Sequence, residues 1–63
     1  MRILVTGSEG YIGSCLVPVL ARNGAEVDRF DFKLGDDIRD YRKVEMMAQR
    51  SDLVVHLAGM VGI

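Results

Sequence analysis

The stretch "VTGSEGYIG", residues 5–13, decides how this chain folds. It sets glycines at 7, 10 and 13 between an apolar run and a segment of helical spacing, two settings in which glycine is a poor resident. Upstream, Ile3, Leu4 and Val5 form a continuous branched-chain run closed by Thr6 and Gly7, the pattern of a strand buried on both faces. Downstream, Ile12, Cys15, Leu16, Val19 and Leu20 recur at helical spacing, which predicts a helix over 11–22 stopped by Asn23 and Gly24. Pro18 removes one hydrogen bond inside that helix and predicts a local kink there, not an end.

The rest of the chain continues the alternation. "AEVDRFDF", residues 25–32, puts Val27, Arg29 and Asp31 on one face and Asp28, Phe30 and Phe32 on the other, a second strand. "KLGDDIRD" is turn-like, and Asp40 is placed to cap a helix in which Tyr41, Val44, Met47 and Ala48 share a face. Arg50, Ser51 and Asp52 end it, and "LVVHLAG", residues 53–59, is a second continuous apolar run and so a third buried strand. Strand, helix, strand, helix, strand predicts an α/β fold with right-handed parallel crossovers, a three-stranded parallel sheet of order 2-1-3 with two helices.

That order gives the glycines a purpose. A turn from a strand into a helix gathers unpaired backbone N–H groups and the positive end of the helix dipole at one spot, which suits a pyrophosphate. Gly7 then permits the tight turn, Gly10 lets the backbone approach the phosphates with no Cβ in the way, and Gly13 lets the helix pack closely. The pattern is G-x-x-G-x-x-G, one residue longer at its first gap than the dinucleotide fingerprint G-x-G-x-x-G. Asp31, at the end of the second strand, supplies an acid at about the 20-residue distance that the fingerprint expects for a ribose. The rival phosphate loop, G-x-x-x-x-G-K-[ST], fails because no lysine precedes Lys33. A dinucleotide cofactor, NAD, is the expected ligand.

Composition narrows the partners. A net charge of −1 offers no basic patch for nucleic acid. The lone Cys15 makes no internal disulfide, and no cysteine and histidine cluster has zinc spacing, so a reducing, cytoplasmic setting without a metal is expected. The apolar run of "MRILVTG" is too short for a signal peptide or a membrane span, and Met1 reads as the true start.

"MRILVTGSEGYIGS", the "FD" closing strand two, "GDDIRD" and "DLVVHLAG" together resemble the N-terminal part of the extended short-chain dehydrogenase/reductase family, in particular its NAD-dependent nucleotide-sugar epimerases and dehydratases of the UDP-glucose 4-epimerase kind. The resemblance covers essentially the whole chain and implies a partial Rossmann fold, with residues 1–63 the N-terminal part of an NAD(P)-binding domain and about the first fifth of such an enzyme. It implies that Gly7, Gly10, Tyr11, Ile12 and Gly13 bind the pyrophosphate, Tyr11 and Ile12 through backbone N–H groups. It further implies that Asp31 holds the adenosine ribose, that Asp37 and Ile38 lie beside the adenine, and that Leu57, Ala58 and Gly59 line the cofactor cleft. A full-length relative would epimerise, dehydrate or reduce a nucleotide sugar.

The chain also departs from that family. Its catalytic Tyr-x-x-x-Lys is missing, since Tyr11 is followed at that distance by Cys15 and Tyr41 by Glu45, so no catalytic residue is expected here. Two other readings fit the same residues: a reductase using NAD(P) on a non-sugar substrate, and a non-catalytic nucleotide-binding or interaction module. Asp36, Asp37 and Asp40 also fit a solvated turn and a cap, His56 a hydrogen-bonded core histidine, Cys15 a packing residue, and Met46 and Met47 helix filling. The order 2-1-3 leaves the "LVVHLAG" edge open, which predicts self-association through the third strand.

Overall fold

The computed structural model describes residues 1–58. Strand β1 (Arg2–Thr6) leads through the glycine turn into helix α1 (Tyr11–Arg22) and strand β2 (Glu26–Phe30). A short 3-10 turn (Phe32–Leu34) then leads to helix α2 (Tyr41–Gln49) and strand β3 (Leu53–His56). The sheet is parallel with order β2-β1-β3, registered from Arg2↔Glu26 to Thr6↔Phe30 on one side and from Ile3↔Leu53 to Thr6↔His56 on the other. This is the expected partial Rossmann arrangement.

The branched-chain run of β1 ends up central because both of its faces can be covered. Leu4 and Phe30 pack with Met47, Val44 and Ala48 of α2, which forms the core on one face. Successive strand side chains alternate, so Ile3 and Val5, both buried, belong to the opposite face, where α1 packs against β2 and β1. Below the sheet, Arg2 clasps Asp28 of β2 with its Nε 2.7 Å from Oδ2, and the Arg2 N–H donates to Asp52 before β3. One residue thereby ties all three strands together at that end.

Helix α1 runs through Pro18 to the predicted end. It closes as a Schellman motif: the Ala25 N–H donates to Leu20 O, the Gly24 N–H to Ala21 O, and Gly24 takes a φ of +88°. Helix α2 starts at Asp40, whose carboxylate accepts from the Lys43 N–H.

Several expectations need correction. The second strand stops at Phe30, one residue short of Asp31, because the Asp31 carboxylate accepts from the Lys33 N–H and turns the chain out of the ladder, leaving Phe32 exposed. The third strand is not buried: Leu53 and Val54 are 47% and 43% exposed, since both helices centre on β1 and β2 and β3 is a sheet edge. Cys15 is exposed because α1 turns inward the face that carries Gly13, its buried residue, and Cys15, two positions on, faces away. Tyr41, on the opening turn of α2, stands clear of the core that Val44, Met47 and Ala48 share. Met47 fills that core while Met46 is exposed, and His56 is hydrogen-bonded but exposed.

A Cβ on residue 13 would lie 2.3 Å from Gly7 O and 2.7 Å from Ser8 Cα, both backbone atoms that cannot swing aside. Gly13→Ala should therefore cost about 3 kcal/mol. Gly24→Ala, with nothing within 4 Å of the added atom, should cost only the left-handed backbone penalty of about 1–2 kcal/mol. Urea unfolding of the two variants checks the ranking; an equal or reversed loss contradicts the packing described.

Candidate functional site

The site gathers at the C-terminal end of the parallel strands. As β1 ends, the N–H groups of Gly7 and Ser8 both donate to Phe30 O, at 2.7 and 3.3 Å, which folds the turn over the end of β2. Gly7 sits at φ +72°, and an added Cβ would meet Ala58 N at 2.8 Å and Leu57 C at 2.9 Å. It is a glycine for two reasons, its backbone hand and the chain leaving β3 directly across from it. The Gly10 N–H donates back to Gly7 O at 3.1 Å, and α1 begins at once.

The N-terminus of α1 is open. Gly10 occupies the cap position without a side chain to cap it, so the N–H groups of Tyr11, Ile12 and Gly13 have no carbonyl one turn earlier in the helix and no capping oxygen. Tyr11 and Ile12 turn their side chains to solvent, 90% and 62% exposed, and offer the site only backbone. A Cβ on Gly10 would find only Gly7 O nearby, at 3.3 Å. That contact is tight, but no other atom lies within 4 Å on the side of the positive helix end.

Thr6 fastens the third strand to this turn. Its Oγ1 accepts from the N–H groups of Leu57 and Ala58 at 3.1 and 3.3 Å, and its backbone carbonyl also accepts from Leu57. The same hydroxyl is hydrogen-bonded to Nδ1 of His56, 2.7 Å away. Leu57 and Ala58 thus lie beside Gly7, while Gly59 lies outside the described residues.

Asp31 stands on the other side of the turn. Its Oδ2 accepts from the Glu9 N–H at 3.0 Å and its Oδ1 from the Lys33 N–H at 2.8 Å, so the expected ribose acid is bound to the glycine turn itself. A carboxylate has about four acceptor sites, and these two bonds leave capacity for two hydroxyls. The backbone N–H of Asp31 donates to Asp36, whose other oxygen takes the ammonium of Lys43 from α2. That ion pair holds the Asp36 carboxyl below the usual carboxylate range. Asp36 is therefore buried and structural, not a solvated turn residue, and Lys43 also lies over the Phe30 ring at 5.8 Å.

The structure brings Gly7, Gly10, Tyr11, Ile12, Gly13, Asp31, Leu57 and Ala58 to one end of the sheet. Asp37 and Ile38 follow Asp36 in the crossing to α2, and among the described residues no hydrogen bond joins them to the glycine turn. The Asp37 carboxylate is clasped by Arg39, with Nη2 2.7 Å from Oδ2, and its pKa falls to about 2. Among the described residues no cluster of His, Cys, Asp and Glu suits a metal ion, and no helix is long and apolar enough to cross a membrane.

The profile of the NAD dependent epimerase/dehydratase family matches residues 3–63. The chain is 36% identical over 63 residues to a GDP-L-fucose synthase from Azorhizobium caulinodans, a match covering 97% of this chain and 20% of that protein. The chain thus spans about a fifth of the length of that curated relative. No solved structure matches it.

The carboxylates fix an acid limb of stability. Arg2 beside Asp28 and Lys43 beside Asp36 hold both groups below their ordinary value of 3.8. A folded pKa below the unfolded one stabilises the fold above the unfolded value, and that stability is lost as pH falls from about 4 through the depressed pKa. Asp36→Asn should cost about 1–2 kcal/mol at pH 7, and the gap to wild type should narrow as pH falls below about 4. Circular-dichroism melts across that pH range check this; a gap that persists undiminished in acid contradicts it.

Proposed function

This chain belongs to the NAD dependent epimerase/dehydratase family, and from that premise we propose that residues 1–63 are the N-terminal part of an NAD(P)-binding Rossmann domain that seats the adenosine and pyrophosphate of NAD. The observation that carries the reading is the uncapped start of α1 behind Gly10, with free backbone N–H groups, no atom but Gly7 O within 4 Å of where a Cβ would stand and Asp31 bonded to the same turn. In this reading Gly7, Gly10, Tyr11, Ile12 and Gly13 hold the pyrophosphate by backbone alone. Asp31 takes the ribose hydroxyls on its remaining acceptor sites, which favours NAD over a 2′-phosphorylated dinucleotide. Asp37 and Ile38 flank the adenine, and Leu57, Ala58 and Gly59 border the cleft where the chain leaves β3.

Bound NAD supplies a transient hydride acceptor. The residues of this chain bind and orient it, and none of them supplies the Tyr-x-x-x-Lys pair that works on the substrate. The protein in which this chain acts is proposed to be a nucleotide-sugar epimerase or dehydratase, a reading supported by the family and by a relative whose name is GDP-L-fucose synthase. It works in the cytoplasm, without nucleic acid or membrane. Residues 1–63 alone self-associate through the open β3 edge, where Leu53 and Val54 are exposed.

Gly10→Val should abolish NAD binding while the fold persists, because the new side chain stands where the pyrophosphate approaches the helix start. Titration calorimetry beside circular dichroism checks this, and NAD affinity kept by a folded variant contradicts it. Sedimentation of residues 1–63 should show species heavier than a monomer, and Val54→Lys should return the monomer. A wild-type monomer that melts sharply contradicts the association.

A further inference from the structure

Glu9, the third residue of the glycine turn, binds in three directions. Its backbone N–H donates to Asp31, its Oε2 accepts from Ser8 Oγ at 2.9 Å, and its Oε1 lies 3.6 Å from Nη1 of Arg29. Ser8 is buried, so the serine end of this arrangement is fixed in place. Arg29 lies on β2 two residues before Asp31, whose backbone is still extended, so both side chains leave the same face of the sheet. Ser8, Glu9, Ser14, Val17, Pro18 and Arg29 line a small open depression between the turn, α1 and β2. Arg29 is a half-exposed cation on the face of the expected ribose acid, and Glu9 engages it.

We infer that Glu9 is a specificity-determining residue at the ribose end of the site: it sets a second carboxylate beside Asp31 and occupies Arg29, the cation that a 2′-phosphate would otherwise recruit. This rests on the dinucleotide reading and adds to it a second, separable source of discrimination. A carboxylate at Asp31 alone disfavours a 2′-phosphate by like-charge repulsion and by having no proton to donate. Glu9 acts differently, because removing its charge both lowers that repulsion and releases an arginine whose planar fork matches phosphate oxygens. The side chain of Glu9 makes no demand on the ribose hydroxyls of NAD, so its neutralisation leaves NAD affinity nearly unchanged.

The test is titration of NAD and NADP against the intact protein by calorimetry, with thermal shift as a second readout, for wild type, Glu9→Gln and Glu9→Gln/Arg29→Gln. Glutamine keeps an oxygen for Ser8, and circular dichroism confirms the fold. Wild type should prefer NAD, Glu9→Gln should raise NADP affinity by roughly tenfold with NAD affinity within about threefold, and the double variant should lose that gain. Wild-type NAD binding with no gain of NADP affinity in Glu9→Gln overturns the inference alone. A gain that survives Arg29→Gln overturns the role given to Arg29. Binding of neither dinucleotide by the wild type overturns the dinucleotide reading, and this inference with it.

Discussion

Among the described glycines, Gly13 leaves the least room for a side chain, since even a methyl group would stand 2.3 Å from the carbonyl oxygen of Gly7. This contact sets how near α1 comes to the turn that precedes it, and so where the open N-terminus of the helix lies. If the helix moved outward to admit a side chain, the N–H groups of Tyr11, Ile12 and Gly13 would move away from the ends of the strands. The helix gives up side-chain packing at this position and gains a fixed place for its positive end.

The other site elements are fastened to the same turn. Phe30 O holds it from β2, the Asp31 carboxylate holds it through Glu9, and Thr6 holds the exit of β3 against Gly7. Asp36 and Lys43 then brace Asp31 from α2, so a single helical residue behind the sheet helps orient an acid in front of it. The strands supply position, and the functional groups are almost all backbone N–H groups and carboxylates. In the proposed reading such groups bind and orient a ligand.

Most of this frame was legible in the residues. The bounds of α1 followed from apolar residues recurring at helical spacing and from the stop at Asn23-Gly24, and β1 from an apolar run that only a two-sided burial explains. The exposure of Leu53 and Val54 was not legible, because the hydrophobicity of a strand reports the surroundings it is suited to, not the neighbours it has. Cys15 and Tyr41 belong to apolar stripes, yet spacing does not say which edge of a stripe meets the sheet. Asp36 read as a turn residue because its partners, the Asp31 N–H and Lys43, lie five and seven positions away across a bend with no periodicity. Glu9 gave no signal of its own; its pairing with Arg29 appears only when the turn is folded over β2.

In the proposed reading a dinucleotide's phosphates rest on the backbone of the glycine turn. Nitrogen-15 NMR of the intact protein titrated with NAD tests it residue by residue. The largest amide shifts should fall on Gly10, Tyr11, Ile12 and Gly13, with a smaller group at Glu9 and Asp31, while the amides of α2 beyond Lys43 stay still. Saturating shifts centred elsewhere on the molecule, with the amides of residues 10–13 unmoved, would contradict it.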